Sequence, residues 1–443
     1  MVILFIIIGG IKMNNKIIKK GIIVGFALFS TFFGAGNLIF PPSIGFLSGE
    51  KWFLGILGLF CSGILLPVIA VIAVNNSGGN IKNILNPVSS WFYNLFYLIM
   101  ILMLAMTSTM PKLGATTHEM GIAALTDKIP MPITVIIFFI IVYFVSKDAS
   151  SVVTKLGKYL TPTLLVALLI IVTTAIVKPL GEPIDTNIQR PFVDALISGY
   201  NTGDLTLGLM CASLFFNALR DGELKENEIN KGIYVTAFVA ILGLTIIYGG
   251  LLYLGATGHQ YISSDISMAT MLIILAEKLL GRVGSGILAV IVMLACLTTG
   301  VGIATIAGEF VEEITKGKIK YKNWIIVVCL VGSVLGILGV NKIVAYASFM
   351  FSVIYPVCIV ITFLGLIKPI LSNDGPFKGG VLLAAIFSII ETLEHMGVKI
   401  SIFETILNKM PLSEYGFSWL VPSIIGMILG HILIKTKVPN VEE

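Results

Sequence analysis

A polar interruption lies in the middle of the first long apolar run of the chain. Residues 29–42 read FSTFFGAGNLIFPP, so two glycines one residue apart are followed directly by Asn37. This combination disfavours a helix, and backbone groups left unpaired in lipid are tolerated only where they line a cavity or are buried in protein. Free amides at the start of a second half-helix suit a carboxylate, and free carbonyls at the end of the first half suit a small cation. The alternative is close helix packing through small residues, but Ser30, Thr31 and Asn37 add polar groups that such packing does not need.

A second polar interruption is predicted in the sixth apolar run. Residues 199–213 read GYNTGDLTLGLMCAS. Residues 208–213 contain no strong helix former apart from Leu209 and Met210, and we predict a second break within residues 199–213. Asp204 is placed at the outer end of this run, where an acid at a helix start and a functional carboxylate are equally good interpretations.

The eighth run carries a third candidate, the sequence ACLTTG at residues 295–300. The carbonyl of Ala295 and the hydroxyls of Thr298 and Thr299 fall on adjacent turns of a helix. Together with carbonyls from the first run, they form a set of neutral oxygens that suits a hard monovalent cation. A threonine in a membrane helix also commonly bonds a carbonyl one turn earlier in its own helix, and that interpretation stays open.

Composition identifies lipid as the main solvent of these elements. Of 443 residues, 56% are hydrophobic and 12% are charged, against roughly 25% charged in an average soluble domain. The mean hydropathy is +0.99. Repeated apolar runs of about 20 residues have the length of membrane helices, and they do not show the alternating pattern of a membrane barrel. We therefore expect an integral membrane protein surrounded by lipid.

Other kinds of chemistry are excluded by the same sequence. The five cysteines lie in apolar runs without CxxC spacing, which indicates neither a disulfide framework nor a zinc site. The pair His118-Glu119 lacks the second histidine of a zinc-protease motif, because that position is Ile122. No Walker A sequence occurs, and the net charge of +5 reflects lysines in loops. We expect no catalytic residues, no bound cofactor and no nucleic-acid partner.

The predicted fold is all-α, with twelve membrane spans. The fourth is the shortest, and residues 266–281 are predicted to form a short amphipathic helix outside the membrane. Loops are expected where polar and turn-forming residues cluster, at 75–80, 111–112 and 372–376. The predicted spans are 21–47, 53–74, 91–110, 132–146, 152–177, 195–219, 232–254, 284–313, 324–340, 343–367, 379–396 and 417–434.

The equivalent positions of spans one and six indicate two inverted repeats of five helices. Residues 13–194 and 195–367 are then the two repeats, and residues 368–443 are two added helices with a cytoplasmic tail. Residues 1–12 are interpreted as an upstream extension, because Met13 begins a more ordinary start.

Basic residues set the predicted orientation. With the N-terminus inside, 19 of the 29 basic residues lie in cytoplasmic segments, and the densest clusters, the N-terminus and residues 316–322, are both among them. An even number of spans then places both termini in the cytoplasm.

Three motifs resemble one known family over nearly the whole chain. FSTFFGAGNLIFPP, the GYxTxD pattern at residues 199–204 and NALR at residues 217–220 are similar to the bacterial branched-chain amino acid:cation symporters. The resemblance implies the leucine-transporter fold, in which two five-helix inverted repeats carry broken first and sixth helices. One feature differs from that fold, which usually has an arginine gate shortly after the asparagine, whereas residues 38–41 read LIFP.

The resemblance also implies roles for individual residues. The amides of Ala35 and Gly36, beside Gly34, would hold the substrate carboxylate, and Gly208 and Cys211 in span six would complete the substrate site. Carbonyls before the first break and the A-x-x-T-[ST] motif of span eight would hold sodium. The implied sodium ligands are Ser30, Phe33, Ala295, Thr298 and Thr299, with Asn37 available to a second cation.

The expected function is a secondary symporter in the bacterial inner membrane that imports leucine, isoleucine and valine with sodium. Alternatives are a carrier of the same fold for another small neutral amino acid and coupling to protons in place of sodium. An intramembrane enzyme would need clustered acids or Ser/His pairs at membrane depth, whereas the four histidines are scattered. A channel is a third class, which saturable, countertransport-stimulated flux would exclude.

The predicted orientation can be tested with a reporter that is active only in the cytoplasm. Fused after Lys437, the reporter should be active, and fused within residues 179–190 it should be silent, because that loop is predicted to be external. Activity in the loop and silence at the C-terminus would reverse the orientation.

Overall fold

The chain folds into helices joined by short connections. The computed structural model describes residues 14–34, 37–147, 152–221, 224–263, 266–398, 400–407 and 409–438, and within these ranges no β-strand occurs. The α-helices are α1 (Asn15–Phe32), α2 (Phe40–Ser48), α3 (Trp52–Leu59), α4 (Leu66–Asn76), α5 (Lys82–Leu85), α6 (Phe92–Leu102), α7 (Thr109–Thr116), α8 (Ala123–Leu125), α9 (Met131–Ser146), α10 (Val152–Val177), α11 (Pro191–Tyr200), α12 (Asp204–Arg220), α13 (Glu226–Thr257), α14 (Met268–Ile314), α15 (Tyr321–Gly336), α16 (Val340–Ile367), α17 (Gly375–His395), α18 (Ser401–Leu407) and α19 (Leu420–Leu433).

The all-α membrane architecture is confirmed. Each of the twelve predicted runs falls on one of these helices or on consecutive helices. Six stretches of the described chain are long and apolar enough to cross a membrane, and the bent pair α11 and α12 makes a seventh. Four further apolar stretches of helix are shorter, and one of them, α9, exposes a face of large aliphatic side chains suited to lipid: Ile133, Ile136, Ile137, Ile140 and Ile141.

Two spans are interrupted in their middle. Span one consists of α1, which ends at Phe32, and α2, which begins at Phe40, so the two α-helices are separate, as predicted. Span six consists of α11 and α12, which are bent by 49° across residues 201–203. The second break therefore lies inside the predicted stretch, residues 199–213, near its start, and residues 208–213 are helical. Weak local helix propensity at residues 208–213 is overridden by packing, because this part of α12 is largely buried.

Span seven, the helix α13, braces both halves of span one. On α1, β-carbons at Gly21 and Gly25 would overlap side chains of α13. On α2, a β-carbon at Gly45 would overlap the carbonyl of Leu252, and one at Gly255 would overlap that of Pro42. Such close approach of two helices needs small residues at the crossing, so the two halves of span one are held by one continuous helix.

Span two braces span six in the same way. Span two consists of α3, a π-helical turn at Phe60–Leu65 and α4. A β-carbon on Gly199 would overlap the side chain of Ser62, and one on Gly208 would lie 2.7 Å from the carbonyl oxygen of Pro67. Gly208 is therefore required for helix packing.

Span three is longer than predicted. It runs from α6 through a π-helical turn at Met103–Thr107 to α7, and then through a second π-helical turn to α8. Pro111 and Lys112, predicted as a loop, lie inside α7 and are buried. Pro111 is tolerated because it falls in the first turn of α7, where its missing amide would have no helical partner.

The amphipathic segment before span eight is helical, as predicted. It begins at Met268 and is separated from the rest of α14 by Gly281, whose φ of 72° and ψ of 178° are not helical. Its location outside the membrane stays a prediction. The proposed extension, residues 1–12, lies outside the described residues.

Candidate functional site

The first break begins where α1 ends. The Phe33 amide donates to the Phe29 carbonyl at 2.7 Å, and the Asn37 amide donates to the Gly34 carbonyl at 2.8 Å, which forms a tight turn. Tyr248 of span seven donates its hydroxyl to the Phe32 carbonyl at 3.3 Å. Part of the backbone exposed by the break is therefore paired from outside span one, as membrane depth requires.

The second break is closed by its own side chains. The Thr202 hydroxyl donates to the Gly199 carbonyl at 2.9 Å and accepts the Asp204 amide at 3.2 Å. Gly203 has a φ of +77°, a left-handed conformation that glycine adopts readily. The Leu205 amide, at the start of α12, donates to the hydroxyl oxygen of Tyr355 at 3.2 Å.

A single hydrogen bond joins the two breaks. Asn37 Nδ2 donates to Asp204 Oδ1 at 2.7 Å and also to the Phe32 carbonyl at 3.2 Å. The exposed fractions are 6% for Asn37 and 1% for Asp204, so the bond is shielded from water. Asp204 is the first residue of α12 and lies in the middle of span six. The sequence interpretation that placed it at the outer end of the span was wrong, because the break falls directly before it.

Lys112 of span three brings a positive charge to the same region. Its side chain is 2% exposed, and its Nζ donates to the Asn201 carbonyl at 3.3 Å and lies 4.8 Å from the centroid of the Phe40 ring. Asn201 caps the end of α11, where the helix dipole favours a cation. Lys112 thus contacts the second break and the first residue of α2.

Sequence reasoning missed Lys112 as a functional residue. The Pro-Lys pair was interpreted as loop punctuation, although the residues that follow it, LGAT, lack the polar cluster of a loop. An ionisable residue within an apolar span is a functional candidate by default, and extending the third span would have exposed it.

A small cavity lies between the breaks. Its volume is about 20 Å³, enough for about one water molecule. Its polar lining comes from both breaks and includes Asn37 and Asp204, with Thr299 from span eight. Leu104, Leu207 and Ile303 also line a second cavity of about 10 Å³, in which they are joined by Ile101, Ala105, Met210, Ile306 and Ala307. One end of this region is therefore polar and the other is aliphatic.

The predicted sodium ligands are distributed around the same region. Thr299 lies beside the first break, since a β-carbon on Gly34 would be 3.9 Å from its methyl group. Thr298 donates its hydroxyl to the Ala295 carbonyl at 2.9 Å, within the same helix. Phe33 ends α1, its ring stacks on Phe29 with centroids 4.9 Å apart, and Ser30 is half-buried one turn earlier.

The predicted substrate-binding residues do not all lie at the cavity between the breaks. Gly34 lines the small cavity, whereas Ala35 and Gly36 lie outside the described residues. Gly208 faces span two, and Cys211 is buried within α12.

Comparison with known proteins gives consistent results along the chain. A family model described as "Branched-chain amino acid transport protein" matches residues 17–437. The branched-chain amino acid permease BraB of Bacillus subtilis is 29% identical over 426 residues, which cover 94% of this chain and 96% of that protein. The branched-chain amino acid transport system 2 carrier protein of Pseudomonas aeruginosa is 29% identical, over 92% of this chain and 94% of its own.

Solved structures show the fold. A manganese transporter mutant of Eremococcus coleocola has a TM-score of 0.58 at 15% identity, covering 94% of this chain and 93% of that one. The inward-facing conformation of Mhp1 has a TM-score of 0.56 at 15% identity, covering 94% and 90%. The fold is that of the leucine-transporter-like carriers, as expected. Among the described residues, no three His, Cys, Asp or Glu side chains are grouped to hold a metal ion.

The placement of Lys112 and Asp204 around one break predicts that their charges are coupled. Lys112→Met should destabilise the protein by about 1–3 kcal/mol, because the Asn201 carbonyl loses its donor and the buried region around Asp204 loses a positive charge. Adding Asp204→Asn should recover part of that loss, so the two effects should fall short of additivity by at least about 1 kcal/mol. Melting temperatures of the four purified proteins in one detergent would measure this.

Lys51→Met is the matched control, because Lys51 also donates to a carbonyl, that of Ile188, but from an exposed position. Its melting temperature should be close to that of the parent protein. Strictly additive effects of Lys112→Met and Asp204→Asn would show that the two charges do not interact.

Proposed function

Because the chain belongs to the branched-chain amino acid transport protein family, we propose that it is a secondary symporter that imports leucine, isoleucine and valine together with sodium. Transport, and not catalysis, is the activity of this family. The observation that carries the proposal is the region between the two breaks, where a polar cavity adjoins an aliphatic one. An amino acid with a branched aliphatic side chain has the same division into a charged end and an apolar end.

The aliphatic wall supports a carrier for all three branched-chain amino acids. Leu104, Leu207 and Ile303 offer no polar atom that could distinguish one aliphatic side chain from another. One methylene group in such a pocket is worth about 1–3 kcal/mol, so leucine, isoleucine and valine are separated only weakly. The two cavities are far smaller than any of these molecules, so the spans around them must move to admit substrate.

Sodium is the coupling ion that the neutral oxygens support. Thr299 lies beside Gly34, which places span eight against the first break. The carbonyl of Ala295 accepts the Thr298 hydroxyl at 2.9 Å, which places two of the proposed ligand oxygens side by side on span eight. A hard monovalent cation can be held by such oxygens without a formal counter-charge. Ser30, Phe33 and Asn37 would supply the ligands from span one.

Proton coupling is a second candidate, favoured by a specific observation. Lys112 and Asp204 are both buried near the breaks, and buried ionisable groups in membrane helices commonly mark proton or ion pathways. In that case protonation of this pair would replace the sodium ion.

The cellular location follows from the same family. We place the protein in the bacterial cell membrane with both termini in the cytoplasm. Burial of Lys112 removes one basic residue from the predicted outer loops, which strengthens the positive-inside bias.

Uptake of radiolabelled leucine into proteoliposomes tests the proposal. An inward sodium gradient at equal pH should drive accumulation, and isoleucine and valine should compete. Thr298→Ala with Thr299→Ala should raise the sodium concentration for half-maximal uptake at least about tenfold, because two ligand hydroxyls are lost.

The pair Thr173→Ala and Thr174→Ala is the matched control. These threonines are also adjacent in a span, and the Thr174 hydroxyl also donates to a carbonyl of its own helix. They belong to span five, and neither lines the cavity between the breaks. If uptake does not depend on sodium and follows an imposed pH gradient, the coupling ion is the proton and not sodium. Absence of leucine, isoleucine and valine uptake under either gradient would refute the proposed function.

A further inference from the structure

One buried oxygen at the junction of the breaks has no partner among the described residues. Asp204 Oδ1 accepts the Asn37 amide, whereas Oδ2 accepts no hydrogen bond. Among the side chains that the structure describes, no lysine, arginine or histidine nitrogen lies within 4.0 Å of this carboxylate. A buried carboxylate oxygen without a donor is strongly unfavourable, so Oδ2 is placed to receive a ligand.

The surroundings of Asp204 define the chemistry of that ligand. Asp204 lines the small cavity together with Thr109, whose buried hydroxyl also has no partner among the described residues. The remaining lining is mixed, because polar side chains (Thr31, Asn37, Thr202 and Thr299) stand beside aliphatic ones (Leu104, Leu113, Leu207 and Ile303). A bare metal ion prefers a shell made of oxygens. A cation that carries its own aliphatic group fits this lining better.

We infer that Asp204 binds the α-ammonium group of the amino acid substrate through its free carboxylate oxygen. The inference rests on the proposed function and assigns one half of substrate recognition to a residue that sequence reasoning left undecided. Leu207 follows Asp204 by three residues on α12, so the two side chains lie on one face of the helix. The ammonium group binds at Asp204, and the branched side chain lies against Leu207 and the aliphatic cavity.

Neighbouring residues prepare Asp204 for this role. Asn37 donates to Oδ1 at 2.7 Å, whereas Oδ2 of the same carboxylate stays without a donor beside the cavity that Asp204 lines. Lys112 supplies a nearby positive charge that offsets the burial of the carboxylate, but its Nζ is held by the Asn201 carbonyl. The second carboxylate oxygen is thereby kept available for the substrate.

The test compares leucine with 2-hydroxy-4-methylpentanoate, which replaces the ammonium group with a hydroxyl. Binding of both to the purified full-length protein is measured at saturating sodium. The parent protein should prefer leucine by at least about 100-fold, and Asp204→Asn should weaken leucine binding by about the same factor, because a buried charge pair is lost. The preference for leucine over the hydroxy acid should then nearly disappear.

Two further variants make the result specific. Asp194→Asn changes the other aspartate of span six, which is half-exposed and paired with Arg190 at 4.0 Å, and should leave both affinities unchanged. Asp204→Glu keeps the carboxylate but displaces it, so it should weaken leucine binding while keeping the preference for leucine. If Asp204→Asn does not give a monodisperse protein, the Asp204→Glu variant provides the test. An unchanged affinity for leucine, or loss of the preference for leucine over the hydroxy acid, would then contradict the inference.

The failures of the two proposals are distinguishable. A parent protein that binds none of leucine, isoleucine and valine contradicts the proposed function. A parent protein that binds leucine, with an Asp204→Asn variant that binds it within about threefold as tightly, contradicts only the ammonium site. A variant that keeps its leucine affinity but needs more sodium assigns Asp204 to the ion and also overturns the inference.

Discussion

The structure depends on one constraint, which is that backbone polar groups in a membrane must be paired. Two spans violate helical continuity at residues 33–39 and 201–203, and each break leaves amides and carbonyls that lipid cannot satisfy. The solution is mutual. Asn37 of the first break bonds Asp204 of the second, and Lys112 of span three donates to the second break at Asn201. Either break would be costly alone, and together they form a buried polar centre.

Helix packing keeps that centre in place. Span seven contacts both halves of span one through glycines, and its Tyr248 bonds the last carbonyl of α1. Span two contacts span six in the same manner at Gly199 and Gly208. A helical span packed beside each broken one limits how far the two halves of the broken span can move relative to each other. Spans three and eight line the other side of the cavity.

The first break could be predicted from sequence because its signal is local: a GxGN run contradicts the helix around it. The second break was predicted only as a stretch, residues 199–213, because weak propensity at residues 208–213 does not distinguish a break from a packing contact such as that of Gly208 with Pro67. Its exact place follows from the Asn-Thr-Gly-Asp run, in which Gly203 adopts a positive φ and the Thr202 hydroxyl accepts the Asp204 amide. Lys112 was missed because a proline-lysine pair has the same appearance in a loop and in a helix start. Sodium coupling stays a prediction, because the hydrogen bond from Thr298 to the Ala295 carbonyl of its own helix is common in membrane helices without any ion.

An experimental structure of the protein with leucine bound would test the central claim most directly. The account predicts leucine between the two breaks, with its ammonium group within hydrogen-bond distance of Asp204 and its side chain against Leu207. Leucine found elsewhere would contradict it, for example in the cavity of about 500 Å³ lined by Phe46, Asp194 and His259.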